Sequence, residues 1–226
     1  MACRHDLVWL NARGWTSVLA QIPSAHRVAV LDWRAADWPL IVRQRQADCS
    51  ALQMCLGIAL PPDSESGIKP RLPLQIDAAD IARQQRPRSL VSVLDAAFPV
   101  WRDDLTQLER AFAAEGLTVR VYGSLALQAI TGWSYLRAGS DIDVLIEPVS
   151  SIQLDTALDL FSTYGEGLPL DGEIVFSDGN AVAIKEWRNA RRDTAPSRVL
   201  VKRHGGVALL RSDVLLATLE TERCSP

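Results

Sequence analysis

The chain has 226 residues, enough to bury a sizeable core in one large or two small domains. Apolar residues make up 48% and charged residues 23%, a balance that excludes an intrinsically disordered chain. A formal net charge of −3 argues against a protein that coats nucleic acid, and the longest clean apolar run, Met54 to Leu60, is far too short to cross a bilayer. The first residues place Arg4, His5 and Asp6 ahead of a short apolar Leu7–Leu10, which is not the pattern of a secretory signal. The expectation is a cytoplasmic protein with no membrane and no nucleic-acid partner. Cys3, Cys49, Cys55 and Cys224 lack Cys-x-x-Cys spacing, so they read as buried or incidental thiols rather than a zinc or disulfide framework. His5, His26 and His204 are not spaced as ligands and read as structural.

Taken in chain order, the first half reads as short strands: Asp6–Leu10, Arg27–Trp33, Leu40–Arg43, Gln53–Ala59 and Leu72–Ile76, with Trp15–Ile22 as the one helix. Residues 61–67, Pro-Pro-Asp-Ser-Glu-Ser-Gly, carry too little apolar content to pack and predict a surface loop. Trp9, Trp15, Trp33 and Trp38 crowd this half and fit the core of a small β-rich domain. The composition changes near Gln84 to Pro87, predicting domains at 1–84 and 85–226. Beyond it, Ser89–Phe98 and Val100–Glu115 have helical spacing, with Leu105, Leu108 and Phe112 on one face and Gly116 as a C-terminal cap. A strand at Val119–Tyr122, a helix, and a strand opened by Asp141-Ile142-Asp143 follow. Ser151 predicts the start of a helix through Leu154, Leu158 and Phe161. Asp178-Gly179 predicts a two-residue hairpin turn between strands Gly172–Ser177 and Asn180–Trp187. Arg198–Lys202 reads as a further strand and Val214–Leu219 as a last helix. The fold class is α+β: a small β-rich domain followed by an α/β domain with a mixed sheet.

The chemistry concentrates in residues 121–148. Side chains alternate along a strand, so Asp141 and Asp143 share a face while Ile142 points inward. Adjacent carboxylates repel, and a divalent cation between them relieves the repulsion; Mg²⁺ takes one or two carboxylates plus substrate phosphates. Gly123-Ser124 at the mouth of a helix offers backbone N–H groups and a hydroxyl to phosphate oxygens. The pattern predicts metal-dependent phosphate transfer. The two-residue turn sets Glu173 opposite Ile184 and makes Glu173 and Glu186 diagonal neighbours, both candidates for a third metal ligand. Lys185, Arg188, Arg191, Arg192, Arg198, Lys202 and Arg203 form the densest positive run, suited to a triphosphate, with Arg188 and Lys202 as candidates, or to an acidic carrier protein.

The order strand, Gly-Ser, helix, Asp-x-Asp strand resembles the signature of the DNA-polymerase-β-like nucleotidyltransferase superfamily. Gly123-Ser124, Gln128, Thr131-Gly132, Tyr135-Leu136, Ser140-Asp141-Ile142-Asp143, Leu145, Asp171-Gly172-Glu173 and Glu186-Trp187 resemble the phosphoribosyl-dephospho-CoA transferase family, the holo-acyl-carrier-protein synthases of malonate decarboxylase. The opening Arg4 to Leu10 is similar to that family's start. The resemblance implies transfer of phosphoribosyl-dephospho-CoA from 2'-(5''-triphosphoribosyl)-3'-dephospho-CoA to a serine of the apo acyl carrier protein subunit of malonate decarboxylase. Pyrophosphate leaves, with two Mg²⁺ ions held at Asp141 and Asp143; the superfamily's usual place for a third acid, the strand after the helix that follows Asp-x-Asp, implies Glu173 as third ligand, with Glu186 second. The N-terminal domain would cover the CoA portion or dock the carrier. The alternatives are a nucleotidyltransferase with another acceptor and a non-catalytic nucleotide-binding module.

Overall fold

A computed structural model of the chain describes residues 2–46, 48–63, 66–192, 197–203 and 205–220; Ser64, Glu65, His204 and Cys224 lie outside them. The chain divides into two compact units. The first holds residues through Pro87 together with Trp133–Tyr135 and Gly205–Gly206, and the second holds the rest.

In the first unit β1 (Leu7–Leu10), α1 (Ala12–Gln21), α2 (Arg27–Ala35), β2 (Leu40–Val42), β3 (Gln53–Ala59), β4 (Arg71–Asp77) and β5 (Ile81–Gln85) follow one another. Among the described residues its strands form an antiparallel sheet ordered β4-β3-β2-β1-β5. Alternation buries Leu72, Leu74 and Ile76 on β4, and Pro73 is tolerated there because β4 is an edge. The Asn11 side chain caps α1 by accepting from the Gly14 N–H at 2.9 Å.

Arg27–Trp33, expected as a strand, is the helix α2. Its apolar residues fit either period, but Val30 and Trp33 are buried, three positions apart, while Val28 and Leu31 are exposed. β5 was not anticipated because it is polar; pairing with β1, not hydrophobicity, makes it a strand. The buried Asp6 carboxylate accepts from Gln84 Nε2 at 2.7 Å, Arg86 Nη1 at 2.8 Å and the Cys3 N–H at 2.9 Å. These bonds fasten the chain's opening to β5 and the residue after it, and they compensate the burial of the charge. Trp133 packs edge-on to Trp38 with centroids 4.6 Å apart, and Trp33 is 6.2 Å away. Tyr135 Oη donates to the Ala59 carbonyl at 2.8 Å. Trp133 and Tyr135 thus join the first unit's aromatic core.

The second unit contains β6 (Arg88–Ser89), a 3-10 segment Leu90–Ala96, α3 (Pro99–Ala114), β7 (Arg120–Val121), α4 (Gly123–Thr131), β8 (Ile142–Ile146) and α5 (Ser151–Tyr164). It continues through β9 (Leu170–Val175), β10 (Ala181–Ala183), α6 (Ile184–Ala190), β11 (Arg198–Arg203), β12 (Gly206–Arg211) and α7 (Ser212–Glu220). Its sheet is ordered β12-β11-β10-β9-β8-β7-β6. β8 and β9 are parallel, joined by the α5 crossover that such a pair requires, and the flanking pairs from β6 to β11 are antiparallel. The fold class is α+β, with one antiparallel and one mixed sheet.

Leu105, Leu108 and Phe112 on α3 are fully buried, and Phe112 meets Phe161 of α5 at 4.8 Å. Each such side chain contributes about 1.5–3 kcal/mol on burial. Gly116, at φ +68°, and Leu117 return N–H bonds to the Ala113 and Phe112 carbonyls and end α3. Ser89–Phe98, expected as an α-helix, is a 3-10 segment whose buried Leu90 and Val93 repeat at three residues. The cap of α5 is Ser150, one residue before the expected Ser151, and accepts from the Gln153 N–H at 3.2 Å.

The hairpin after β9 also departs from expectation. Phe176 donates to the Asn180 carbonyl and Gly179 to the Phe176 carbonyl, each at 2.8 Å, enclosing a three-residue loop with Gly179 at φ +78°. The extra residue shifts the register by one, so Ala183 faces Glu173 and the chain turns helical at Ile184. Glu186 is therefore on a helix, not on the face of a strand beside Glu173.

Candidate active site

The site grows from the seam between β7 and β8. Val121 pairs with Val144, and the Tyr122 N–H donates to the Asp143 carbonyl at 3.0 Å. The next residue, Gly123, opens α4 at φ +68°. Its Cα stands so close to β8 that a Cβ there would lie 1.9 Å from Asp143 Oδ2. Only glycine accepts both the left-handed backbone and this approach. The strand–Gly-Ser–helix pattern thus seats one carboxylate of the Asp-x-Asp pair against the start of α4. No side chain caps α4 at Tyr122.

Asp141 is exposed and immediately precedes β8, while Asp143 is half-buried within it. Ile142 and Val144, on the opposite face, are fully buried in the core. The alternation read from the sequence holds.

The parallel register brings a third carboxylate alongside. Asp171 of β9 is the direct partner of Asp143, and Glu173 is the partner of Leu145. Gly172 permits the tight pairing between them, since a Cβ there would meet the Val144 carbonyl oxygen at 2.2 Å. Asp141, Asp143, Asp171 and Glu173 therefore share one sheet face, with Asp171 nearer the aspartate pair.

Their cationic neighbours differ. Glu173 is buried and forms an ion pair with Lys202 Nζ of β11 at 2.6 Å. Lys202, expected on phosphate, is committed here to that carboxylate. Asp171 forms a more exposed pair with Lys185 Nζ at 3.3 Å. Glu186 accepts from the Leu200 N–H at 2.5 Å and so ties α6 to β11. Arg188 donates through Nη2 to the Leu158 carbonyl and to Ser162 Oγ of α5, at 3.0 and 2.9 Å, away from the sheet face. Arg191 likewise pairs with Asp155 of α5.

Gln128, within α4, donates to the Ala96 carbonyl at 2.7 Å and accepts from the Leu136 N–H at 3.0 Å, which ties α4 to the 3-10 segment and to the chain at Leu136. Among the described residues, no three His, Cys, Asp or Glu side chains converge as a preformed metal cage. The donor set is all carboxylate, which suits a hard cation such as Mg²⁺.

Sequence reasoning nominated Asp141, Asp143, Gly123 and Ser124, with Glu173 as a third ligand and Glu186 second; the parallel register, which pairing across α5 supplies, sets Asp171 beside Asp143 and Glu173 beside Leu145.

Both halves of the chain match models of one family. The phosphoribosyl-dephospho-CoA transferase MdcG N-terminal domain matches residues 3–87 and its C-terminal domain residues 89–213. The phosphoribosyl-dephospho-CoA transferase of Xanthomonas campestris pv. campestris is 35% identical over the whole of both chains. That of Bradyrhizobium diazoefficiens is 34% identical over 92% of this chain and 89% of its own. A protein of the same name from Pseudomonas putida is 27% identical over 81% of this chain and 83% of its own. No solved structure matches. These likenesses make the molecule an enzyme, a transferase of α+β fold built in two units. The chain belongs to the phosphoribosyl-dephospho-CoA transferase family.

Proposed function

We propose that the chain moves phosphoribosyl-dephospho-CoA from 2'-(5''-triphosphoribosyl)-3'-dephospho-CoA to a serine of the apo acyl carrier protein subunit of malonate decarboxylase. The observation that supports this most is the seating of Asp143 against Gly123 at the head of α4, in a chain similar to the family's proteins over its full length. The serine oxygen bonds to the α-phosphorus of the triphosphate as the bond to pyrophosphate breaks, and the hydroxyl proton passes to the medium. Asp141 and Asp143 would hold Mg²⁺, two ions in the full site. A cation held by these two carboxylates would supply charge neutralisation for the polyphosphate and so ease attack by the hydroxyl.

The protein's own groups position the reactants. Gly123 and Ser124 present the start of α4 to phosphate oxygens, where backbone N–H groups and the helix dipole favour negative charge. Gln128 holds α4 against the 3-10 segment and the chain at Leu136, so that the head of α4 keeps its distance from β8. The first unit supplies surface for the CoA portion or the carrier.

Incubation with Mg²⁺, the triphosphoribosyl donor and the apo carrier tests the reading. Pyrophosphate is released and the intact mass of the carrier rises by one prosthetic group; a carrier with its acceptor serine changed to Ala gains nothing. With ATP as sole donor, labelling of the carrier is slow because the binding energy of the pantetheine arm is absent. An unmodified carrier, with ATP labelling another protein well, would favour a nucleotidyltransferase with a different acceptor.

A further inference from the structure

The sheet face that carries Asp143 continues to the edge of the second unit and changes character on the way. On β11, Val199 and Val201 are fully buried in the core, so alternation turns Arg198, Leu200 and Lys202 to the other side. The ion pair of Lys202 with Glu173 identifies that side as the face of the carboxylates. On β12, the edge strand beside β11, Leu210 packs against the core while Val207 and Leu209 point away from it. The Ser212 N–H donates to the Ser197 carbonyl at 2.9 Å and closes this pair of strands. Leu200, Val207 and Leu209 are 40%, 61% and 59% exposed, an apolar stripe where a solvated sheet face carries polar side chains. Arg198 and Arg203, at the two ends of β11, are exposed and form no ion pair among the described residues. Arg211, at the end of β12, pairs with Asp213.

Position and charge together select the occupant. From β8 to β12 the face crosses four strand spacings, about 19 Å. A domain of about 100 residues has a radius of gyration near 13 Å, so it is wide enough to cover β11 and β12 while one of its serines reaches the aspartates. A second copy of this chain fits less well. In a twofold contact the stripe meets itself, which sets one arginine-rimmed surface against another. A partner with carboxylates around an apolar spot meets no such repulsion. Resting on the transfer reading above, we propose that the acyl carrier protein docks on this β11–β12 stripe. Its apolar spot covers Leu200, Val207 and Leu209, and its acidic side chains meet Arg198 and Arg203. The first unit is then left to the CoA portion of the donor.

Transfer kinetics with the full-length protein test the surface, together with titration of a carrier whose acceptor serine is changed to Ala. Leu209→Glu and the double variant Arg198→Glu/Arg203→Glu raise the KM for the carrier about tenfold or more, and weaken the titrated carrier alike. The KM for the donor and the turnover at saturating carrier stay near the wild type's, which separates docking from chemistry. Leu209→Met keeps the wild-type KM for the carrier. Added salt weakens carrier binding to the wild type, and the arginine double variant loses most of that dependence. Melting temperatures near the wild type's confirm folded variants. If the wild type transfers the group and these variants do so with an unchanged KM for the carrier, the docking surface is overturned while the reaction stands. If Leu209→Glu instead splits a wild-type dimer in sedimentation and leaves the KM for the carrier alone, the stripe belongs to a second copy and the proposal is overturned. Should the wild type leave the carrier unmodified, the transfer reading falls, and the titration still decides whether the stripe binds the carrier.

Discussion

At the scale of the residue, the proposed transfer rests on the contact between Gly123 and Asp143. Asp143→Asn and Asp141→Asn keep shape but remove the charge, so the fold survives while transfer falls roughly a thousandfold or more. A folded Asp143→Asn protein with wild-type transfer would end the mechanism. Gly123→Ala attacks the same contact from the other side. It adds a Cβ at positive φ, 1.9 Å from Asp143 Oδ2, so either the carboxylate or the turn must move. Turnover is expected to drop far more than the melting temperature. A second residue sets a pH dependence. Burial, with a hydrogen bond to Cys55 adding to it, pushes the Cys49 thiol up to about 11. The folded pKa lies above the unfolded value of about 8.5, so this contribution to stability is complete below that pH and is lost as pH climbs toward 11. Comparing urea midpoints at pH 8 and pH 10.5, the wild type should fall further than Cys49→Ala.

At the scale of the element, Lys202 and Lys185 pair with carboxylates of very different burial. Lys202 pairs with a buried carboxylate, and Lys202→Met leaves that charge uncompensated at a cost of about 3 kcal/mol. The urea midpoint should fall accordingly, and Lys202→Met/Glu173→Leu should recover most of the loss. Lys185→Met, at an exposed pair, should leave the midpoint nearly unchanged. A Lys202→Met protein of full stability but poor donor binding would return Lys202 to the phosphate role read from sequence. The hairpin shows how small a local difference redirects a site. One extra loop residue at Gly179 shifts the register so that Ala183 faces Glu173, and the strand ends there, with Lys185 and Glu186 on α6. The Asp-Gly signal marks the turn, but both two- and three-residue loops satisfy it.

At the scale of the whole molecule, the first unit is not a contiguous piece of chain. Trp133 and Tyr135 belong to it, packed on Trp33 and Trp38 and bonded to Ala59. Residues 1–87 expressed alone should therefore be less stable than the same unit in the full chain. The full-length Trp133→Ala variant should lower the melting temperature, with a blue-to-red shift in the emission of Trp38. Equal stability of the fragment would show that these aromatics contribute little.

The sequence by itself determined the α+β class, the helix α3 with its glycine stop, and the Gly-Ser and Asp-x-Asp pair, because each depends on a short period or on a residue whose backbone freedom is its meaning. It also carried the family resemblance that the full-length relatives show. Tertiary structure alone decided α2 over a strand, β5 as a sheet member, and Asp171 rather than Glu173 as the neighbour of Asp143. In the first, burial selected between two periods that the same side chains satisfy. In the others, hydrogen-bonded pairing between segments far apart in the chain set the register, and no local pattern encodes a partner strand's register.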